Sequence, residues 1–234
     1  MKLRSLLSMG VFYLLTVCIF ISAAWLGSEV TSTLAELRPI EREHVIIIDP
    51  GHGGEDGGAT SVSGKLESAY NLEIALGLRD LLHLLGFETE MTRTRDESIY
   101  TEGHTLSEKK ISDLKNRVKL VNDRENAILV SIHQNMFSDG RYRGAQVFYG
   151  PMGDSKTLAK VMQGAFCQTI NPGSNREIKK AAGIYLMQHI DCTGVLIECG
   201  FLSNPEEDSL LRTKEYQQKI NCVIAGTLSQ FLTD

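Results

Sequence analysis

Ile46-Ile47-Ile48-Asp49-Pro50-Gly51-His52-Gly53-Gly54 passes from three isoleucines, through a proline, to a histidine set among glycines. The apolar run has the character of a strand covered on both faces of a parallel sheet. Pro50 carries no N–H for a strand ladder, so the strand should stop there. The glycines let the backbone turn sharply and leave room beside the imidazole. Two later stretches, Ile128-Leu129-Val130-Ser131-Ile132-His133 and Val195-Leu196-Ile197-Glu198, repeat the event. Each time an apolar strand ends on a group that can bind a metal or carry a proton. Glu67 follows the glycine loop, placed to open a helix.

Outward from these points the elements alternate. Val45–Asp49 reads as the first strand. Residues 68–85 follow as a helix with Leu72, Ala75, Leu76 and Leu82 on one stripe, and Gly86 stands where a C-terminal cap belongs. Phe87–Thr92 is a second strand, 94–106 a polar surface loop, and Ile111, Leu114, Val118 and Val121 mark a helix. Ala127–Ile132 and Ala145–Tyr149 are the next strands, and Leu158, Met162, Ala165, Phe166 and Thr169 mark another helix. Ile184–Met187 and Val195–Cys199 read as short strands. Asn204-Pro205-Glu206-Glu207 has the pattern of a helix start, and Tyr216, Ile220, Val223, Ile224, Thr227, Leu228 and Phe231 form a closing amphipathic helix. This alternation predicts an α/β fold with a mixed, mostly parallel sheet and helices on both faces. In such folds the functional crevice lies beyond the carboxyl ends of the strands. His52, Glu67, His133 and Glu198 should therefore gather at one rim.

Two histidines and a glutamate match the ligand count of a catalytic zinc, which takes three protein ligands and leaves a position for water. His52, Glu67 and His133 are the candidate ligands for one Zn2+. Glu198 ends a strand that should be deeply packed, where a lone carboxylate is costly unless paired. It is the candidate general base, taking a proton from a metal-activated water and passing it to the leaving nitrogen. Singly, each residue has a plainer reading. His52 alone is a turn residue, His133 a core histidine and Glu67 a helix-opening acid. A phosphate cradle is the other reading of the glycine loop, but Gly-Lys-Ser/Thr is absent and 51–58 lacks GxGxxG spacing. Joint placement carries the metal reading. Asp49 and Asn135 are read as orienting groups, Glu55 and Asp56 as solvated loop acids, and His44, His83, His104 and His189 as structural or surface residues.

A chain of 234 residues suits one sizeable α/β domain plus an appendage. Its net charge of −5, without a basic stripe, argues against nucleic acid as a ligand. Lys2 and Arg4 precede a nearly unbroken apolar stretch from Leu6 to Leu26, long enough to cross a bilayer. The positive flank should stay cytoplasmic, with the catalytic part exported. Ser22-Ala23-Ala24 offers a cleavage site, so residues 1–27 read as a signal peptide or a membrane anchor. Residues 28–43 read as a polar linker and 44–234 as the catalytic domain. The cysteines form no CxxC or CxxH pair. Cys192 and Cys199 flank a predicted strand, at ~3.3 Å per residue too far apart to bridge. Free, mostly buried thiols are expected.

These residues resemble the zinc-dependent N-acetylmuramoyl-L-alanine amidases of the type-3 class. The resemblance rests on Asp49–Gly54, Glu67, Thr92-Arg93-Thr94-Arg95-Asp96, Arg117 with Asn122, Ser131–Asn135 and Glu198–Asn204, and it covers residue 45 to the end. It implies a phosphorylase/hydrolase-like domain with a six-stranded sheet, zinc on His52, Glu67 and His133, and Glu198 as base. The implied substrate is peptidoglycan, cut between the lactyl group of N-acetylmuramic acid and L-alanine of the stem peptide. Gly183-Ile184-Tyr185-Leu186-Met187-Gln188 and the N-terminal segment resemble the CwlD-type amidases of spore formers. Those enzymes strip stem peptides from spore cortex so that a deacetylase can help make muramic-δ-lactam, which germination enzymes recognise. The chain departs from the family at Met136, where alanine is common, and at Cys199, where valine is common. The short span from Gly153 to Gly183 leaves no room for a long blocking helix, so any regulation is expected from a separate activator protein. A zinc peptidase acting on stem peptides and a non-catalytic glycan-binding module are the alternatives.

Overall fold

The computed structural model describes residues 44–233 and Ser22; the segments 1–27 and 28–43, read above as signal or anchor and as linker, otherwise lie outside the described residues. In chain order the elements are β1 (Val45–Pro50), α1 (Glu67–Leu84), β2 (Glu88–Met91), α2 (Leu106–Asn122), β3 (Ala127–Asn135), β4 (Gln146–Tyr149), α3 (Ser155–Thr169), β5 (Lys179–Lys180), α4 (Tyr185–His189), β6 (Thr193–Phe201), α5 (Pro205–Leu211) and α6 (Lys214–Thr233). The strands form one sheet in the order β2-β1-β3-β6-β4-β5. All neighbours are parallel except β4, which runs antiparallel to β6. This is the mixed, mostly parallel six-stranded sheet expected.

Strand alternation divides the core between two faces. Ile46, Ile48, Val130, Ile132, Val195 and Ile197 pack beneath α1, α3 and α6. Ile47, Leu129 and Leu196 face the other way, toward Val121, Leu186 and Met187 of α2 and α4. Asp49, Ser131, His133 and Glu198 continue this second series to the carboxyl ends of their strands. His133 and Glu198 are register partners, so their side chains leave the sheet together.

Local signals explain most boundaries. Gly86 ends α1 at φ 77°, where its N–H donates to His83 and that of Phe87 to Leu82, the two bonds of a Schellman cap. Thr105 and Glu108 form a reciprocal capping box on α2. Asn204 caps α5 by accepting from the N–H groups of Glu206 and Glu207. Glu207 does not bond back to the cap, however. Its buried carboxylate accepts from Gly144 and Phe201 instead.

Two expectations need correction. Ile184–Met187 is not a strand. Gly183 turns the chain at φ 81°, Ile184 is extended, and Tyr185–His189 is a one-turn helix that sets Leu186, Met187 and Ile190 against the sheet. The edge position belongs instead to Lys179–Lys180, whose exposed lysines carry no strand-like pattern. The inner face of α2 is also not wholly apolar. Ile111 is half exposed, while Asp113 and Arg117 are buried. Cys167, Cys192, Cys199 and Cys222 are free, as expected, but they are not mostly buried: Cys199 alone of these four is buried, Cys167 and Cys192 are half-buried, and Cys222 is exposed on α6. Among the described residues no helix is long and apolar enough to cross a membrane.

Arg117 is buried because it closes the end of β1. It donates to Asp49 at 2.6 Å, to Asp113 at 2.7 Å and to the carbonyls of Pro50 and His52. Asp49 also accepts from Thr92 and Ser131. Burial alone would raise the Asp49 pKa, but Arg117 and the two hydroxyls bring it down to about 2. A carboxylate with a lowered folded-state pKa stabilises the fold above its unfolded value near 4, and that contribution is lost as the pH falls through 2. Asp49→Asn, which leaves Arg117 short of a buried partner, should cost about 3–5 kcal/mol at pH 7. Urea unfolding curves of variant and parent should converge in strong acid, whereas equal midpoints at pH 7 would contradict this account.

Candidate metal centre

The loop after β1 is shaped by the groups that grip it. The carbonyls of Pro50 and Gly51 accept from Arg93, that of Gly51 also from Asn71, and those of Pro50 and His52 from Arg117. His52 is thereby held at φ 61°, a left-handed conformation costing about 1–3 kcal/mol in a residue other than glycine. Gly51 is required by space: a Cβ there would lie 2.1 Å from the ring of His133. At Gly58 a Cβ would meet the Glu67 carboxylate at 2.6 Å.

Glu67, the first residue of α1, reaches into the same space. Its Oε1 accepts from the backbone N–H of Gln134 and lies 3.0 Å from His133 Nδ1. Its Oε2 accepts from the N–H of Ala59 and lies 3.3 Å from His52 Nε2. The two imidazoles meet edge to face, 5.0 Å between centres. His52, Glu67 and His133 each offer a donor atom, and these atoms lie within 4.8 Å of one another. Burial favours a protonated Glu67, but His133 and His52 hold its carboxyl well below the usual range. Burial likewise favours a neutral His52, yet its hydrogen bonds to the carboxylates of Asp56 and Glu67 push its pKa up to about 9. Any metal binding here competes with that proton.

Glu198 lies beside this cluster in a different setting. Burial pushes its pKa up to about 7; nearby Glu67 adds to the shift and the two histidines oppose it. Its Oε2 is buried with no hydrogen-bond partner among the described residues. A cavity of about 290 Å³ joins it to His52 and His133 and is walled by Leu114, Ile184, Tyr185 and Leu186. An unpartnered buried carboxylate oxygen beside two imidazoles and a carboxylate is the donor set of a catalytic zinc with its base. The residues present fit that ion.

All four residues singled out from the sequence come together at the rim. Asp56, expected to be a solvated acid, instead holds His52 Nδ1 at 3.0 Å and is itself paired with Lys110 at 2.9 Å. The sequence signal was its place four residues beyond His52 in a tight loop. Glu55 is exposed and pairs with Lys109. Cys199 points into the opposite core, away from the cluster, and Met136 lies exposed on the surface.

A family model described as N-acetylmuramoyl-L-alanine amidase matches residues 46–230. The germination-specific N-acetylmuramoyl-L-alanine amidase of Bacillus subtilis is 40% identical over 193 residues, covering 81% of this chain and 80% of that protein. The CwlD amidase of Clostridioides difficile, solved in complex with the GerS lipoprotein, superposes with a TM-score of 0.77 at 39% identity, covering 81% of this chain and 98% of that one. An N-acetylmuramoyl-L-alanine amidase from Clostridium difficile 630 gives a TM-score of 0.72 at 27% identity, covering 83% and 99%. The chain belongs to the type-3 N-acetylmuramoyl-L-alanine amidase family and is of the CwlD type.

Proposed function

We propose that this peptidoglycan amidase holds one zinc ion on His52, Glu67 and His133 and cuts the amide between the lactyl group of N-acetylmuramic acid and L-alanine of the stem peptide, with Glu198 as general base. The buried, unpartnered Oε2 of Glu198, on the strand register of His133, carries this reading. Zinc bound at this site supplies a Lewis acid that acidifies water and polarises the amide carbonyl. Glu198 takes a proton from the attacking water as its oxygen adds to the carbonyl carbon. It then delivers that proton to the alanine nitrogen as the C–N bond breaks, so the amine leaves neutral. A base with a pKa near the working pH serves both steps. Asp56 fixes the His52 ring through Nδ1 and leaves Nε2 facing the cluster. The backbone N–H groups of Ala59 and Gln134 hold the Glu67 carboxylate in place.

The finer reading is a role in the spore. The chain removes stem peptides from cortex peptidoglycan, a step toward muramic-δ-lactam that a peptidoglycan deacetylase completes. Likeness to the germination-specific enzyme and to CwlD supports this. The GerS lipoprotein bound to CwlD supports a separate activator as partner here too. The site acts outside the cytoplasm, with residues 1–27 serving export or anchorage and 44–234 forming the catalytic domain.

Glu198→Gln should lower amide hydrolysis by roughly 10²–10⁴-fold with zinc retained; mass spectrometry of digested peptidoglycan reads this as loss of stem-free glycan. Shortened stems in the wild-type digest would identify a peptidase instead. His52→Ala, Glu67→Ala and His133→Ala should each purify with less zinc by elemental analysis. Asp56→Asn should weaken zinc binding by roughly 10–100-fold in competition with a chromogenic chelator. Unchanged affinity would remove Asp56 from its positioning role.

A further inference from the structure

Beyond Glu198, the segment Gly200-Phe201-Leu202-Ser203-Asn204 has no part in the chemistry above, yet it organises a second feature. β3 and β6 run past the catalytic residues until Asn135 pairs with Phe201. The loop 136–144 is then tied back onto the chain that leaves β6. Leu202 N–H donates to the Asn135 carbonyl at 2.7 Å, Phe137 N–H to Ser203 Oγ at 3.3 Å and Asn204 Nδ2 to the Gly140 carbonyl at 2.9 Å. The backbones approach so closely that a Cβ on Gly140 would lie 2.8 Å from the Ser203 carbonyl.

The loop held in this way turns Met136, Phe137 and Tyr142 outward, each about half exposed. The ring of Tyr142 stands edge-on to Phe137, 4.9 Å between centres, and lies stacked toward Phe201 at 6.2 Å. The guanidinium of Arg176 sits 5.0 Å from the centre of the Phe201 ring. Clustered exposed aromatics on an ordered loop mark a binding surface, unlike scattered apolar residues. Asp139 with Arg141, and Arg143 with Glu206, give it a charged border.

We propose that Phe137 and Tyr142 form a stacking platform for sugar rings of the glycan strand, positioning the muramic acid residue whose side amide is cut. The proposal rests on the amidase reading. Position and shape choose the occupant. Asn135 and Phe201 lie two and three residues beyond His133 and Glu198, roughly 7–10 Å along their strands. That is within reach of a sugar adjoining the reacting residue. A glycan strand also continues in both directions from each muramic acid, so it cannot enter the cavity of about 290 Å³ walled by Tyr185 and Leu186. It needs an open face, and the platform supplies one. Sugar rings present flat C–H faces with polar edges, which match aromatic faces bordered by charge. Three half-exposed side chains are a small patch for a stable protein–protein interface, which needs some 800 Å² per partner.

The test compares two substrates: intact peptidoglycan strands, and a single N-acetylmuramoyl peptide with no neighbouring sugar. Phe137→Ala with Tyr142→Ala should raise KM for the strands roughly tenfold, about the loss of one good aromatic contact, and leave kcat unchanged. Hydrolysis of the single muramoyl peptide should be unaffected, and thermal melting should confirm that these surface variants fold. As a second readout, Glu198→Gln should co-sediment with insoluble peptidoglycan, and Glu198→Gln combined with Phe137→Ala and Tyr142→Ala should co-sediment markedly less. Equal kinetics of parent and double variant on strands would overturn the platform. So would loss on both substrates alike, or strands cleaved normally with only the response to an added GerS-type lipoprotein lost. If the parent cleaves neither substrate even with a GerS-type lipoprotein added, the amidase reading itself fails, and the two failures remain distinct.

Discussion

Three consecutive carbonyls, those of Pro50, Gly51 and His52, are met by two buried guanidinium groups. Everything at the rim follows from that grip. Arg93 and Arg117 come from different parts of the chain, one just after β2 and one from α2. Each adapts its planar fork to several acceptors at once, which a lysine could not do. Asp49 and Asp113 compensate the charge of Arg117, so the cation can stay buried. With the carbonyls fixed, His52 is held in its unfavourable backbone conformation, and Gly51 offers the flat surface on which the His133 ring lies.

The same rim treats two glutamates oppositely. Glu67 accepts from two backbone N–H groups and lies between two imidazoles, so its charged form is favoured despite burial. Glu198 is half-buried, with one oxygen fully buried and without a partner among the described residues, and carries a pKa raised to about 7. A permanent anion suits a ligand, and a carboxylate poised near neutrality suits a group that takes and returns a proton. The division of labour comes from hydrogen-bond supply, because the two side chains are identical.

Sheet geometry explains how so small a domain holds the half-buried His52, His133 and Glu198 on a rigid base. These side chains stand at or just past strand ends whose earlier residues are fully buried. β3 and β6 then continue past the site and carry the loop with Phe137 and Tyr142, so the open surface and the reaction centre share one framework. The cavity beside Glu198 is walled by α2 and α4.

The sequence alone determined the features that depend on local pattern. Apolar runs fixed β1, β3 and β6, and their endings placed His52, His133 and Glu198 at one rim. Glycine and cap residues fixed the C-terminal end of α1 and the start of α5. Period 2 put Cys199 on the far face. What depends on contacts between distant segments was not legible. Ile184–Met187 reads as a strand because a short apolar run looks the same in a strand and in a buried helical turn; only the sheet edge already occupied by Lys179–Lys180 decides between them. Arg117 and Asp113 sit on a helix face that periodicity marks as apolar, because Arg117 donates to carbonyls some 65 positions away and Asp113 accepts from Arg117 and from the N–H of Ile99. Asp56 reads as a solvated acid until the left-handed turn at His52 brings the imidazole onto it. Periodicity records which side of an element is buried; tertiary structure alone decides which polar groups are buried together, because their cost is met only by partners that folding brings near.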